Sequence, residues 1–256
     1  MENIKDKLTT SWLGQNCLYF DNVTSTNDRA YEAAEAKAPM GTVIVADSQT
    51  QGRGRKGRPW SSPPGDGLWF SLILRPAFTP REAMSLTLVT AVGLCRGLER
   101  YPGLGVTIKW PNDLLVDDRK LCGILAEMKA EGEKLHYVVI GIGVNIRTIA
   151  LEPETAAIAI GMEEVLAQDV SREELLCYLL KGLEDAYDSY FHGEGQALRE
   201  EWEERSALLN RSVQVSTTNG IINGTVLGLS EEGFLRILTE DKKVVHIISG
   251  EITIVG

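Results

Sequence analysis

The 256-residue sequence predicts an α+β fold, in which a larger domain with a mixed sheet precedes a small β domain. Runs of strand length alternate with helix-length stretches in the first part of the chain. From Arg211 onward, short strands are separated by turn dipeptides such as Asn219-Gly220 and Asn223-Gly224, which favours a small barrel or sheet. We therefore predict a larger domain at residues 1–207 and a β domain at residues 208–256.

The first domain is predicted from runs of β-branched and apolar residues and from apolar positions at helical spacing. In chain order the predicted elements are a strand at 17–20, a helix at 29–37, strands at 42–46 and 68–74, a helix at 81–100, strands at 106–110, 113–116, 123–129 and 137–144, and helices at 155–168, 172–190 and 196–208. Asp117-Asp118-Arg119 is expected to form a hairpin turn, and Ser171 with Glu174 is a capping-box pattern.

Charge and residue usage disfavour several classes of protein. The formal net charge of -10 disfavours broad attraction to nucleic acid, and no apolar run is long enough to span a bilayer. The four cysteines form no CxxC pair and the three histidines are dispersed, so neither a zinc site nor a disulfide framework is indicated. We expect a cytoplasmic protein without a signal peptide that contacts no nucleic acid and no membrane.

One segment departs from the acidic average: Gly52-Arg53-Gly54-Arg55-Lys56-Gly57-Arg58. Glycine allows a close approach of the backbone to a ligand, and arginine donates paired hydrogen bonds to phosphate or carboxylate. A solvated basic loop explains the run equally well on its own. The glycine spacing does not indicate a dinucleotide fold, because Arg58-Pro59-Trp60 stands where that fold needs a helix.

Four further motifs carry polar groups or glycines at unusual density. They are Ser25-Thr26-Asn27, Lys109-Trp110-Pro111-Asn112-Asp113, Lys120-Leu121-Cys122-Gly123-Ile124-Leu125 and Gly141-Ile142-Gly143-Val144-Asn145. Each has an ordinary structural explanation, such as a helix cap, a turn with a buried Trp, a hairpin charge or a β-bulge. A kinase is not indicated, since no H-R-D or D-F-G follows the strand lysine.

Taken together and in this order, the five motifs resemble the catalytic domain of biotin protein ligases, over about residues 25–145. The family's Ser-Thr-Asn, Gly-Arg-Gly-Arg, Lys-Trp-Pro-Asn-Asp, Lys-Leu-x-Gly-Ile-Leu and Gly-x-Gly-x-Asn elements all have counterparts, and a Gln, here Gln49, precedes the basic run. The resemblance implies the biotin/lipoate ligase type of mixed-sheet domain, followed by an SH3-like β barrel. It also implies formation of biotinyl-5'-adenylate from biotin and ATP with Mg²⁺, then transfer of biotin to a lysine of a biotin carboxyl carrier protein.

The resemblance further implies roles for individual residues. The expected catalytic residues are Lys120, Arg55 and Lys109. The expected biotin-binding residues are Ser25, Thr26, Gln49, Gly52, Arg53, Lys120, Gly123 and Gly141. The expected nucleotide-binding residues are Arg53, Arg55, Trp60, Lys109, Asn112, Asp113 and Asn145.

Several alternatives remain at this stage. A lipoate protein ligase is the nearest alternative, and a nucleic-acid-binding regulator that uses the basic run is a more distant one. Residues 1–24 are too few for the DNA-binding domain that some family members carry before the catalytic domain, so none is expected. The sequence leaves open which residues bind magnesium and whether the protein forms a homodimer.

Overall fold

The computed structural model describes residues 4–148 and 157–255. The strands are β1 Cys17–Val23, β2 Val43–Gln49, β3 Gly67–Leu74, β4 Thr107–Lys109, β5 Asp113–Val116, β6 Arg119–Glu131, β7 Lys134–Asn145, β8 Ser212–Thr217, β9 Gly220–Leu229, β10 Leu235–Thr239, β11 Val244–Ile247 and β12 Glu251–Ile254. The α-helices are α1 Thr26–Glu35, α2 Leu86–Leu98, α3 Met162–Leu166, α4 Arg172–Phe191 and α5 Gly195–Glu204. Short 3₁₀ turns occupy Lys5–Lys7, Arg55–Gly57 and Glu82–Ser85.

Seven strands form one mixed sheet in the order β1-β2-β3-β7-β6-β5-β4. Only the β1–β2 pair is parallel, and the other neighbours are antiparallel. Helices α2 and α4 pack against one face, and α1 covers the other at a smaller cluster around Ala30, Ala34 and Ile73. Because both faces are covered, every residue of the interior strand β3 is buried. The predicted α+β class is confirmed.

Local sequence signals explain several element boundaries. Ser25 caps α1 by accepting a hydrogen bond from the backbone of Asn27, and Ser171 caps α4 through Glu174, as the capping-box pattern predicts. The β5–β6 hairpin turns at Asp117 and Asp118, both with φ between 50° and 59°, as a type I′ turn requires. These signals are local in sequence, which is why they could be predicted.

The predicted helix at 155–168 is longer than the observed one. Its first two residues lie outside the described residues, and in the remainder only Met162–Leu166 is α-helical. Ala167 ends the helix in a left-handed conformation, with φ of 51°. The residues just before Met162 instead run alongside β6, where Ala159 pairs with Lys120. Pairing with the sheet at Ala159 and Ile160 therefore stands where the prediction placed helix.

The C-terminal strands form a separate antiparallel sheet in the order β11-β10-β9-β8-β12. The small β domain is thus confirmed, whereas closure of this sheet into an SH3-like barrel remains a prediction. The domain is attached to α5, where Glu203 accepts a hydrogen bond from the backbone N–H of Leu229 at 2.7 Å. A second attachment joins Arg81 to Glu232 at 3.0 Å. None of the helices in the described residues is long and apolar enough to cross a membrane.

A buried carboxylate fixes the N-terminal segment to α4. Glu184 is only 2% exposed and accepts hydrogen bonds from the backbone N–H groups of Ser11, Trp12 and Leu13, at 2.7 to 3.0 Å. We expect Glu184→Gln to lower the free energy of unfolding by about 1–3 kcal/mol, because an amide NH₂ would then face backbone donors. Urea unfolding measures this change.

The matched control is Asp185→Asn on the same helix, where an exposed carboxylate pairs with Lys181 four residues earlier. Exposed pairs of this kind contribute about 0.3–0.5 kcal/mol. Equal losses in the two variants would contradict the role assigned to Glu184.

Candidate active site

A cavity of about 430 Å³ opens between the first-domain sheet, the basic loop (residues 52–60) and the start of β12. All five sequence motifs contribute to its lining, Ser25-Thr26-Asn27 and Lys109-Trp110-Pro111-Asn112-Asp113 with every residue and the other three in part. Its lining residues include Ser25, Thr26, Asn27, Gln49, Arg53, Arg55, Trp60, Lys109, Asn112, Asp113, Lys120, Gly123, Gly141 and Glu251. The cavity therefore combines neutral polar groups with several cations.

The neutral polar groups lie where α1 begins. Gln49, at the end of β2, accepts a hydrogen bond from the backbone N–H of Thr26 at 2.8 Å and donates one to Ser62 at 2.8 Å. Ser71 on β3 places its hydroxyl 2.7 Å from Thr26 Oγ1 and 2.6 Å from Asn27 Oδ1. Since Thr26, Asn27 and Ser71 are all buried, this part of the cavity wall is rigid and its polar groups are paired.

The basic loop forms a small hairpin. The backbone N–H of Trp60 donates to Gly52 at 2.8 Å, and that of Gly54 donates to Arg58 at 2.7 Å. A Cβ atom at Gly52 would lie 2.5 Å from the carbonyl oxygen of Trp60. Gly52 is therefore required for the two arms of the hairpin to approach each other.

Arg53 is held by two carboxylates. Its guanidinium lies 2.7 Å from Asp28 on α1 and 3.2 Å from Glu127 on β6. Glu127 also accepts a hydrogen bond from Asn27 Nδ2 at 2.6 Å. These contacts join the first arm of the basic loop to both the helix and the sheet.

Arg55 lies deeper in the cavity. It donates a hydrogen bond of 3.3 Å to Asn112, whose own amide donates to the carbonyl of Ile124 at 2.8 Å. Burial lowers the pKa of the Arg55 guanidinium below its ordinary value, and the nearby Asp113 carboxylate opposes this effect only in part. An anionic ligand would offset this cost of burial.

Lys120 occupies the centre of the lining. Its ammonium lies 2.7 Å from Asp113 Oδ1 and 4.9 Å from the centre of the Trp60 ring, within the range of a cation–π contact. The backbone of Lys120 is fixed by hydrogen bonds to Ile158 and Ile160, and Asn145 Nδ2 donates to its carbonyl at 3.1 Å. Both ends of this side chain are thus positioned by neighbours.

Trp60 packs directly against the glycines of the sheet. A Cβ atom would lie 2.7 Å from the Trp60 ring at Gly143 and 2.8 Å from it at Gly123. At Gly141 a Cβ atom would lie 2.3 Å from Asn27 Oδ1. The space that these glycines leave is therefore taken by Trp60 and Asn27, which the sequence did not indicate.

We expect Gly143→Ala to displace Trp60 and to lower the free energy of unfolding by about 1–3 kcal/mol, the usual cost of overpacking. The displacement is measured by tryptophan fluorescence and the loss of stability by urea unfolding. Gly195→Ala is the control, since its Cβ would meet only the Tyr190 ring, at 3.3 Å. Unchanged fluorescence and stability in Gly143→Ala would contradict the packing role.

The C-terminal domain also contributes to the site. Glu251, at the start of β12, forms ion pairs with Arg58 and with Lys56, the latter at 3.2 Å. The hydrogen bond from Arg58 and the charge of both cations hold the pKa of Glu251 at about 2, well below its usual range. No sequence motif pointed to Glu251, because its contact partners lie nearly two hundred residues earlier.

The structure brings most of the predicted site residues together. Twelve of the fourteen line the cavity, whereas Gly52 supports the hairpin behind it and Asn145 holds the Lys120 backbone. Asn27, Glu127 and Ser71 were not predicted as site residues. Asn27 could have been found, since it completes the Ser25-Thr26-Asn27 motif.

Known proteins resemble this chain over most of its length. Residues 19–145 match the model of the Biotin/lipoate A/B protein ligase family, and residues 208–255 match that of the Biotin protein ligase C terminal domain. The bifunctional ligase/repressor BirA of Bacillus spizizenii is 36% identical over 240 residues, which cover 93% of this chain and 74% of the relative. The biotin–[acetyl-CoA-carboxylase] ligase of Paracoccus denitrificans is 31% identical, over 82% of this chain and 89% of the relative.

A solved structure gives the same result for the fold. The biotin protein ligase of Aquifex aeolicus in complex with biotin and ATP superposes with a TM-score of 0.80 and 31% identity, over 94% of this chain and 98% of that one. Sequence identity and fold similarity therefore extend across both domains. The chain belongs to the biotin protein ligase family.

Proposed function

We propose that this protein is an ATP-dependent ligase that forms biotinyl-5'-adenylate and transfers biotin to a lysine of a biotin carboxyl carrier protein. The observation that carries the proposal is one cavity in which a neutral polar wall adjoins the cations Arg55, Lys109 and Lys120. Such a cavity suits an acid with a neutral polar ring that must meet a triphosphate. Family membership and the biotin and ATP of the Aquifex aeolicus complex support this proposal.

In the proposed first half-reaction, the biotin carboxylate attacks the α-phosphorus of ATP and pyrophosphate leaves. Two anions must approach each other, so the main task of the protein is to position them and to offset their charge. Lys120 would bind the carboxylate and the α-phosphate, and Arg55 would close over the adenylate. Within the described residues, no carboxylate pairs with Lys109, which leaves its ammonium available to the nucleotide.

The remaining contacts divide between the two substrates. Ser25, Thr26 and Gln49 would hold the ureido ring, and Gly52 would support them from behind by closing the hairpin of the basic loop. Asn112, Asp113 and Trp60 would line the nucleotide side. Arg53 would fix the basic loop, while Asn145 would act through the Lys120 backbone. In the second half-reaction the acceptor lysine amine attacks the mixed anhydride, an amide forms, and AMP leaves.

Magnesium is proposed to enter with the triphosphate. The described residues contain no group of three or more side chains that could hold a metal ion, and the carboxylates that line the cavity are Asp113 and Glu251. This donor set fits Mg²⁺, which is commonly bound by one or two carboxylates plus substrate phosphates. The ion would offset the charge of the phosphates.

The boundary between the two domains is proposed to lie between residues 207 and 208. The first domain would bind both substrates, and the second would hold the basic loop through Glu251. A lipoate ligase is the weaker alternative, since the family model covers both acids but the ligases of Paracoccus denitrificans and Aquifex aeolicus are named for biotin. The test of the proposal is transfer of biotin to a purified carrier domain with ATP, followed by mass spectrometry. Addition of biotin to the carrier supports it, and the carrier's lysine-to-arginine variant must stay unmodified.

A further inference from the structure

We propose that Asp28 and Glu127, two carboxylates outside the cavity lining, act through Arg53 to hold the basic loop over the bound adenylate. They would be positioning residues that set how long the intermediate stays bound. The inference rests on the proposed function, because it concerns the retention of biotinyl-5'-adenylate. It also changes the role expected for Arg53, from a group that binds substrate to one that fixes the position of the loop.

The two terminal nitrogens of Arg53 each pair with a different carboxylate. Nη1 lies 2.7 Å from Asp28 Oδ1, and Nη2 lies 3.2 Å from Glu127 Oε2. Burial alone would lower the pKa of Arg53, but the hydrogen bond to Asp28 and the charge of Glu127 raise it above its ordinary value. Because two carboxylates surround one guanidinium, this cluster carries a net negative charge. It therefore adds no net attraction for an anionic ligand.

Both carboxylates stand on regular elements outside the loop. Asp28 lies in the first turn of α1, whose start is capped by Ser25. Glu127 lies on β6 and accepts a hydrogen bond of 2.6 Å from Asn27, which is only 2% exposed. The helix and the sheet thus provide two fixed points for the attachment of the loop.

The position of Arg53 determines the position of the whole hairpin. Arg53 forms a β-bridge with Pro59 across the hairpin, and the backbone N–H of Trp60 donates to Gly52 at 2.8 Å. Fixing Arg53 therefore fixes both arms of the basic loop. Arg55 and Trp60, which these arms carry, line the cavity.

Loss of both carboxylate charges is expected to loosen the loop without removing a reacting group. Lys120 and Asp113 keep their own contact at 2.7 Å. Pyrophosphate exchange takes place while the intermediate is bound, so its kcat should change less than about twofold, whereas the rate constant for release of the intermediate should rise. A general structural defect would lower kcat and the melting temperature as well.

The test is release of a radiolabelled sulfamoyl analogue of biotinyl-5'-adenylate, which resists hydrolysis, after dilution into excess unlabelled analogue. The double variant Asp28→Asn/Glu127→Gln keeps the shape of both side chains and removes their charge. We expect its release rate constant to be about fivefold higher than that of the parent enzyme, the combined effect of two partly exposed ion pairs. Arg53→Ala should raise the release rate constant by the same factor.

A mutant cycle separates this mechanism from direct binding of the ligand by Arg53. If Arg53 acts only through the carboxylates, adding Arg53→Ala to the double variant should change the release rate no further. If Arg53 instead contacts the ligand, freeing it from its partners should leave release unchanged or slower, and Arg53→Ala should then add its full effect. Release from the double variant at or below the parental rate would overturn the inference.

Arg29→Ala is the matched control on the same helix. Arg29 pairs with Glu32 at 2.7 Å outside the cavity, so its loss should leave the release rate unchanged. An Arg29→Ala variant that releases the analogue as fast as the double variant would show a general effect of charge on α1 and would contradict the proposal.

Two further variants complete the design. Arg53→Lys keeps the charge but lacks the planar set of donors, so it should restore only part of the retention that Arg53→Ala loses. If the double variant does not fold, Asp28→Asn alone decides the question in the same cycle, because its contact with Arg53 is the shorter of the two.

The two failures are distinguishable. A parent enzyme that shows no biotin-dependent exchange contradicts the proposed function, whereas normal exchange with a parental release rate in the carboxylate variants contradicts only the role of Asp28 and Glu127.

Discussion

Lys120→Ala is expected to lower the rate of biotin-dependent pyrophosphate exchange by about 10²–10³-fold, the usual loss when one preorganised electrostatic donor is removed. The reason is the position of its ammonium, which is fixed by Asp113 at 2.7 Å and by the Trp60 ring at 4.9 Å. A cation held in this way stabilises developing charge without reorganising. Removing it should therefore affect the rate far more than it affects folding.

The controls separate charge from stability. Lys129→Ala removes an exposed lysine of the same strand, which pairs with Glu35 outside the cavity, and should leave the rate unchanged. Lys120→Ala leaves Asp113 without its partner, so a fall in stability of about 1 kcal/mol is expected and is measured by urea unfolding. A folded Lys120→Ala variant with a normal exchange rate would remove Lys120 from the mechanism.

Arg55→Ala should produce the second-largest effect, a decrease of about 100-fold in kcat/KM for ATP, within the range for loss of a charge-assisted contact in a closed site. Burial lowers the pKa of Arg55, so its charge is incompletely compensated by the protein alone. Its hydrogen bond to Asn112, at 3.3 Å, uses one of the five guanidinium N–H groups, and the others are proposed to bind phosphate oxygens.

Arg55→Lys distinguishes geometry from charge. Lysine keeps the charge but lacks the planar pair of donors, so it should recover only about tenfold of the loss. Lys56→Ala removes the exposed cation next to Arg55 on the basic loop. Glu251, which pairs with Lys56, still pairs with Arg58 in this variant. We therefore expect kcat/KM for ATP to change less than about threefold. Equal effects of Arg55→Ala and Lys56→Ala would mean that only the net charge of the loop matters.

Much of the fold follows from local patterns. The β-branched run at 42–46 predicts β2, and the capping residues Ser25 and Ser171 mark the starts of α1 and α4. The helix predicted at 155–168 is confirmed only at Met162–Leu166, and just before it Ala159 pairs with Lys120 instead. This pairing joins residues almost forty positions apart, so a periodicity within one segment does not show it.

Most residues of the site could also be predicted from patterns that are local in sequence. Its motifs are contiguous in sequence, so most lining residues could be named. Contacts between segments that are distant in sequence could not be predicted. They are the ion pair of Glu251 with the basic loop, the contacts of Glu127 with Arg53 and Asn27, and the packing of Trp60 beside Gly143. Gly123 and Gly141 were correctly predicted to leave space, but Trp60 and Asn27 fill that space in the structure.

The cavity is proposed to join biotin to the α-phosphate of ATP. The most direct measurement is exchange of labelled pyrophosphate into ATP, with biotin and with lipoate in parallel, since it isolates the first half-reaction and needs no acceptor protein. Exchange that depends on biotin and not on lipoate is the expected result. Exchange with lipoate alone, or with neither acid, would contradict the account.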